Sequence, residues 1–414
     1  MHKKLVIIGA GSGGLCAAIS AYQHGIHDIL LIEQDQETGG ILNQCIHNGF
    51  GLHTFKEELT GPAFAQRLKD EIARLPIDIW LDTCVTKITK DKMVICQNIS
   101  GIHHIQAQAI IITAGCYERS QGAIAMPGHR PKGIYTAGQA QKFLNQDGYL
   151  VGKKVFILGS GDIGLIMARR MSLEGAKVYG VAEIMPYSNG LKRNIVQCLD
   201  DFDIPLYLSH TVSNVFGKDK LEAIEISPVD ENRQIIPDQA KRFNVDTLLL
   251  SVGLIPENSL IYQLGLPLDT KTKGPIVDEF LQLSPGIFAA GNGLHVHDLV
   301  DHVASEARQA GINASLYLEN KLSNKSMIQI IPGENVSYCV PQFFHQDSIG
   351  FKLSLRVKLP MPKAKLQFLD GNKLLKEQTM LNLFPAEMIT YLIPANVLTS
   401  ISTNLTIKVV PINE

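Results

Sequence analysis

The sequence predicts an α/β chain made of two parallel-sheet units of one repeated design, followed by a small antiparallel β domain. Three observations carry this expectation. A short apolar run enters a glycine-rich turn twice, at Leu5–Gly14 and at Val155–Gly164. Each turn is followed by a helical pattern and then by a second apolar run that ends in an acid, Glu33 in one case and Glu183 in the other. From about residue 325 the period changes from that of helices to strict alternation.

The first run reads Leu5-Val-Ile-Ile-Gly9-Ala-Gly11-Ser12-Gly13-Gly14, a buried strand opening into Gly-x-Gly-x-x-Gly. Gly9 permits the tight turn, and Gly11 lets a pyrophosphate approach the backbone. Gly14 lets the following helix pack closely on the strand, and the free N–H groups of that helix attract the phosphates. Glu33, at the end of Ile29–Ile32, is placed to accept hydrogen bonds from a ribose diol. The second run, Val155-Phe-Ile-Leu-Gly159-Ser-Gly161-Asp162-Ile163-Gly164, repeats the unit. From Gly9 to Glu33 is 24 positions, and from Gly159 to Glu183 is also 24, so the two superpose at an offset of 150. Two fingerprints in register, each with strand, helix and terminal acid, specify two Rossmann-like dinucleotide-binding domains. A carboxylate at Glu183 pairs with the 2′- and 3′-hydroxyls of NAD and repels the 2′-phosphate of NADP, so NAD is the expected ligand there. The alternative is that Glu183 faces solvent and Lys192 or Arg193 holds a phosphate.

The boundaries read from these patterns are 1–118 and 259–323 for the two parts of the first domain, 119–258 for the second, and 324–414 for the β domain. In that last segment Phe351–Leu359 alternates apolar and polar residues, as do Lys363–Phe368 and Leu405–Val409, and Asp370-Gly371 is a turn signal. The β domain reads as a packing or docking element.

Composition excludes several classes. With 38 Lys+Arg against 40 Asp+Glu, the net charge of −2 gives no reason to expect nucleic acid. No run approaches the ~18 apolar residues of a membrane span. Seven cysteines, an odd number without Cys-x-x-Cys, suit a reducing cytoplasm and argue against a disulfide framework.

Further motifs extend the pattern. Ala109-Ile-Ile-Ile-Thr113-Ala114-Gly115, Asp246-Thr-Leu-Leu-Leu-Ser-Val-Gly253-Leu-Ile-Pro256 and Pro285-Gly-Ile-Phe-Ala-Ala-Gly291-Asn292 each end an apolar run in a glycine turn. With these the chain resembles the two-dinucleotide-binding-domain flavoproteins, the pyridine nucleotide–disulfide oxidoreductase superfamily, over about residues 1–320. The resemblance implies FAD on the first fingerprint, NAD(P) on the second, inserted domain, and a ribityl contact at Gly291-Asn292. The family usually has Gly-Asp there, and Gln282 stands where it has an upstream threonine. Gly39-Gly40-Ile-Leu-Asn-Gln-Cys45-Ile-His47 and Leu294-His295-Val-His297-Asp298-Leu-Val-Asp301 resemble one subgroup. Its members accompany glycerol-3-phosphate dehydrogenases and are related to subunits of opine oxidases and hydrogen cyanide synthase. That implies electron transfer with a partner dehydrogenase or electron-carrier subunit; the direction is open, and the resemblance favours electrons passing to NAD.

The superfamily's disulfide reductases carry a cysteine pair at positions that here are Leu42 and His47, and Cys198 stands alone where thioredoxin reductases have Cys-x-x-Cys. A redox dithiol is therefore not expected. The residues expected near the chemistry are Cys45, His47, His295 and His297. His47 could lower the thiol pKa of Cys45, and the other two imidazoles could donate to flavin carbonyls or move protons. Asp298 is the expected N-cap of a helix from Leu299, and no metal is assigned to the His-x-His pair. Glu118 and Arg119 are expected to form a hinge salt bridge. Tyr187, Lys192, Arg193 and Asn194 either line a nicotinamide cleft or form a solvated turn. Two other functions fit the same motifs: an NADH oxidase or peroxidase using Cys45 alone, and a non-catalytic docking subunit with bound nucleotide.

Overall fold

The computed structural model describes residues 1–412. They form two compact units, one made of residues 1–43, 48–116 and 256–412, the other of residues 44–47 and 117–255. The β segment is thus counted with the first unit. Residues 44–47 group with the second because the Gln44 amide donates to Gly138 O at 2.9 Å and Gln141 Oε1 at 3.0 Å.

The first unit opens with β1 (His2–Ile8), α1 (Ser12–Gln23), β2 (Ile29–Ile32), β3 (Asp78–Trp80) and β4 (Gly101–Ile112). β1 pairs in parallel with β2 on one side and β4 on the other, with Leu5 opposite Ile29 and Ala109. Leu5, Val6 and Ile7 are fully buried, which suits a strand covered on both faces. Each such side chain contributes about 1.5–3 kcal/mol through burial.

The second unit contains β5 (Ile134–Thr136), β6 (Lys154–Leu158), α2 (Asp162–Leu173), β7 (Lys177–Glu183), β8 (Leu206–Leu208) and β9 (Thr247–Leu250). Its parallel sheet runs β5-β9-β6-β7-β8. The first unit resumes with β10 (Ile287–Ala289) and α3 (Val300–Leu318). β10 pairs in parallel with β4, so the parallel part of the eight-stranded first sheet runs β10-β4-β1-β2-β3. The two parallel arrays have the same order. They differ in where the outer strand comes from: β5 precedes its glycine turn in the chain, whereas β10 follows long after its own.

The remaining strands are β11 (Met327–Pro332), β12 (Val336–Val340), β13 (Phe343–His345), β14 (Gly350–Val357), β15 (Met361–Asp370), β16 (Lys373–Leu383), β17 (Ile389–Pro394) and β18 (Leu405–Pro411). They form a five-stranded sheet, β13-β11-β18-β15-β16, and a three-stranded sheet, β12-β14-β17. Side chains from both sheets, among them Leu353, Leu355, Leu366, Phe368 and Ile407, share one apolar core, as in a sandwich. The expected hairpin turn at Asp370-Gly371 joins β15 to β16. One pairing departs from the antiparallel expectation: β11 and β18 run parallel. β18 arrives from the other sheet through the Ala395–Leu398 helix rather than from a hairpin, so no tight turn dictates its direction. The last two residues of the segment lie outside the described residues.

Two glycines of the first turn face opposite demands. A Cβ on Gly14 would lie 1.7 Å from Gly9 O, whereas a Cβ on Gly11 would meet nothing within 4 Å. Gly11 also has φ −68°, which any residue adopts. Gly14→Ala should therefore destabilise the nucleotide-free protein by about 3 kcal/mol or more. Gly11→Ala should leave its stability within about 0.5 kcal/mol while obstructing the turn for a ligand. Urea unfolding of both variants checks the contrast, and similar losses for the two would contradict it.

Candidate functional site

Each unit ends its central strand in the same turn. Gly9 has φ +95° and Gly159 φ +96°, a conformation that glycine adopts without steric cost. Gly11 and Gly161 are the N-caps of α1 and α2, and neither helix start has a side-chain cap. The first-turn N–H groups therefore remain available to an anion, except that of Gly164 in α2, which donates to Ser251 Oγ at 3.1 Å.

The acids at the ends of β2 and β7 are held alike. Glu33 Oε2 accepts Ala10 N–H at 2.6 Å and Oε1 accepts Asp35 N–H at 3.1 Å. Glu183 Oε2 accepts Ser160 N–H at 2.9 Å and Oε1 accepts Met185 N–H at 3.0 Å. Ala10 and Asp35 correspond to Ser160 and Met185 at the same offset of 150. Both carboxylates are buried beside their turns; Glu183 Oε2 also accepts the Ser160 hydroxyl at 2.7 Å, so Glu33 keeps about two acceptor sites and Glu183 about one. The repeat extends further. Gly39 N–H donates to Ala10 O at 2.8 Å, and Asn189, 150 positions on, donates its N–H to Ser160 Oγ at 3.0 Å. Gly40 packs against Gly11, and Gly190 packs against Ser160 O.

Other residues expected at the cofactors are placed as follows. Thr113 buttresses the first turn, the single hydrogen of its hydroxyl shared between Ile8 O and Gly9 O, each at 2.9 Å. Ala114 and Gly115 continue from it, and Gly115 O accepts Glu257 N–H at 2.9 Å. Gly13 packs against Thr113 and Val303. Ser12 and Ile163 lie in the first turns of α1 and α2. Asp162 Oδ1 accepts Leu191 N–H at 2.8 Å and Asn194 Nδ2–H at 2.6 Å, tying the chain after β7 to the start of α2. Lys192 and Arg193 are exposed. Gly253 O accepts Arg119 N–H at 3.1 Å. The hinge salt bridge is not seen among the described residues. Glu118 instead accepts Gly138 N–H, at 3.0 and 2.9 Å, at the start of the Ala137–Asn145 helix.

The return segment after β10 is more polar than its burial would suggest. Gly291 N–H donates to Glu306 Oε1 at 2.7 Å, and His297 N–H donates to Asn292 Oδ1 at 3.0 Å. His295 Nε2 lies 2.8 Å from Glu306 Oε2 and His297 Nε2 lies 3.4 Å from it, with the imidazoles 0% and 2% exposed. Burial, then the neighbouring His297, hold the His295 pKa below the usual imidazole range. Burial alone would raise the Glu306 carboxyl, but His297 and His295 outweigh it and hold it well below the usual carboxylate range. Glu306 is the third converging group that the His-x-His motif lacked in the sequence. Its signal was available: one acid set among Val303, Ala304, Ala307 and Ala310, the buried stripe of α3.

Asp298 does not cap α3. The N-cap is Leu299, without a side-chain bond. The Asp298 carboxylate instead pairs with Arg356 of β14 and accepts Met388 N–H at 2.6 Å. Arg356 also donates to Val296 O at 3.2 Å and to Tyr338 OH at 3.0 Å, so the β domain braces the histidine loop. Nothing local in the sequence signals this contact, which spans 58 positions.

Cys45 and His47 lie in the stretch that groups with the second unit. The Cys45 thiol donates to Gln141 Oε1 at 3.7 Å. The expected lowering of its pKa is reversed: burial pushes the thiol up to about 12. A thiol held protonated in this way is a weak nucleophile.

In the first turn of α3, Asp301 accepts N–H groups from Gly51 (3.0 Å), His53 (3.1 Å) and Thr54 (2.7 Å). Burial would raise its carboxyl, but the bonds from Thr54, Gly51 and His53 outweigh it and depress the pKa. The stabilisation from a depressed carboxyl is full above the unfolded value, about 3.9, and is lost as pH falls through the folded value. Asp301→Asn should cost about 1–3 kcal/mol at neutral pH. It should also flatten the loss of stability below about pH 4. Urea unfolding between pH 3 and 7 measures both, and an unchanged acid limb would contradict the assignment.

Comparison with known proteins agrees with this geometry. The chain is 24% identical over 315 residues to hydrogen cyanide synthase subunit HcnB of Pseudomonas protegens, which covers 70% of this chain and 64% of that protein. It is 23% identical over 312 residues to an opine oxidase subunit of Agrobacterium tumefaciens, covering 70% of this chain and 61% of that one. The chain therefore spans about two thirds or less of the length of these relatives. Among solved structures, thioredoxin reductase of T. acidophilum covers 77% of this chain and 99% of its own length, at 24% identity and a TM-score of 0.62. Bacillithiol disulfide reductase of Bacillus cereus covers 78% of this chain at 18% identity, with a TM-score of 0.61. These two likenesses establish a shared fold. The family model for pyridine nucleotide-disulphide oxidoreductases matches residues 3–312, and the chain belongs to that family.

Proposed function

We propose that the chain is an FAD-dependent NADH oxidoreductase without a redox-active disulfide, working with a second redox subunit. The observation that carries this reading is the repeated turn with its buried acid. Two dinucleotide sites in one chain call for two dinucleotides, and membership of the family supports FAD on the first unit and a pyridine nucleotide on the second. The open space over Gly11 fits a pyrophosphate, and Glu33 fits the adenosine ribose beside it. Bound FAD would supply the chemistry, exchanging two electrons as hydride with a nicotinamide and passing electrons to or from the second subunit.

The chain's own residues bind and orient. The N–H groups that open α1 and α2 hold phosphate charge. Glu183 would use its remaining acceptor site for a ribose hydroxyl of NAD and would disfavour a 2′-phosphate by like charge. Leu42 and His47 occupy the positions of the disulfide reductases' cysteines, so reduction of a small disulfide is not part of this reading. No helix among the described residues is long and apolar enough to cross a membrane. Several relatives are named as subunits of larger enzymes. Together with the subgroup motifs, this supports a partner that oxidises its own substrate, of the glycerol-3-phosphate dehydrogenase type.

The deciding experiment is an anaerobic visible spectrum of the purified protein before and after NADH. The oxidised flavin band should bleach with NADH and much less with NADPH. A bound flavin that NADH leaves oxidised would favour a docking role, and failure to take up FAD would end the assignment of the first site. Because the Cys45 thiol is held protonated, Cys45→Ser should bleach at a rate within about twofold of wild type, a change under 0.5 kcal/mol. Loss of turnover in that variant, with oxygen or peroxide as acceptor, would favour the single-cysteine oxidase instead.

A further inference from the structure

Glu306 uses both oxygens inside the protein. Oε1 takes the N–H of Gly291, at the turn after β10, and Oε2 faces Nε2 of His295 at 2.8 Å and of His297 at 3.4 Å. An ionised carboxylate can only accept, so Nε2 of each ring carries the hydrogen that faces Oε2. In the Nε2–H tautomer Nδ1 is a bare lone pair. Nδ1 of His295 and Nδ1 of His297 are both buried and have no hydrogen-bond partner. The rings pack together, with centroids 4.2 Å apart. Two adjacent buried acceptors without a donor are costly and call for an explanation.

Their place in the sheet indicates the donor. The order β10-β4-β1-β2-β3 puts Glu33, after β2, on one side of the phosphate turn. His295 and His297, after β10, lie on the other. If the adenosine ribose lies at Glu33, the other half of the dinucleotide leaves the pyrophosphate toward β10, along the carboxyl ends of the strands. In FAD that half begins with a polyol chain, a row of hydroxyl donors. Asn292 supplies no negative charge at this point, and its Oδ1 already accepts His297 N–H at 3.0 Å.

Resting on the FAD reading above, we propose that Glu306 is a positioning residue. It fixes His295 and His297 in the Nε2–H tautomer, so that their Nδ1 atoms accept hydrogen bonds from the hydroxyls of the FAD ribityl chain. The imidazoles thus act toward the cofactor as acceptors, not as the donors to flavin carbonyls that the sequence suggested.

The test titrates nucleotide-free protein with FAD and, separately, with ADP, which carries the pyrophosphate but no polyol. Wild-type protein that binds neither would end the FAD reading itself. Given wild-type binding, Glu306→Gln should weaken FAD about tenfold to a hundredfold, the cost of unpairing one or two buried hydrogen bonds. It should leave ADP affinity within about twofold. Once His295 and His297 are both alanine, adding Glu306→Gln should cost little more for FAD. Histidine 15N resonances should show two rings with bare Nδ1 whose shifts move on addition of FAD but not of ADP. Equal losses for FAD and ADP, an unchanged FAD affinity, or a stoichiometric metal ion bound by wild type and lost in Glu306→Gln would each overturn the proposal. Thermal unfolding of nucleotide-free Glu306→Gln identifies a variant that has merely lost its fold. In that event the histidine resonances of wild type, with and without FAD, decide alone.

Discussion

The contact on which both parallel-sheet units depend is a carboxylate at the end of one strand accepting the backbone N–H next to the glycine at the end of its neighbour. Glu33 does this to Ala10 and Glu183 to Ser160. The bond fixes the turn relative to the second strand before any ligand arrives. It also leaves the acid buried with acceptor capacity to spare. Close packing then follows, because a turn held at that height brings Gly14 against Gly9 and Gly164 against Gly159 and Ser251. A larger residue would separate helix from sheet and withdraw the helix N–H groups from the phosphate position. Binding geometry and packing geometry are thus one constraint met twice.

The return segment of the first unit follows a different logic. Its polar groups are joined to parts of the chain far away: Asp298 to Arg356, Asp301 to the backbone at 51–54, Gly291 to Glu306. Each bond satisfies a charge or an N–H that burial would otherwise penalise. Arg356 is the only one of these groups that comes from the β domain. Its guanidinium spans Asp298, Tyr338 and the carbonyl of Val296, which suits a planar group with donors in a fixed fork. That makes the β domain a structural support of the histidine loop, in addition to whatever it presents outward.

Much of this was legible in the sequence because it rests on local rules. Glycine spacing, apolar runs and a terminal acid are fixed within about 25 residues, and their recurrence at one offset removed the ambiguity of a single motif. Asp370-Gly371 was legible for the same reason. What the sequence hid was non-local. Glu306 reads as one more helical acid until α3 is docked and its alanine stripe is buried. Asp298 stands where a cap belongs, yet Arg356 claims it from across the unit. Cys45 beside His47 suggests an activated thiol, but the packing of 44–47 on Gln141 sets its protonation. The parallel pairing of β18 depends on a crossover that no turn residue announces.

The origin of the fifth strand in each sheet bears on how the chain is made. In the second unit β5 lies upstream of its own glycine turn, so residues 117–255 contain everything their sheet requires. In the first unit the sheet waits for β10, which is synthesised only after the whole of that inserted stretch. The unit that begins first is therefore completed last, and residues 110–112 of β4 keep an unpaired edge during the interval. That edge carries Ile110, Ile111 and Ile112, which pair with Ile287, Phe288 and Ala289 once β10 arrives. An exposed apolar edge of this kind is where a nascent chain is open to wrong partners. A contiguous, self-sufficient insert shortens that period by folding as a unit while the host sheet is still open.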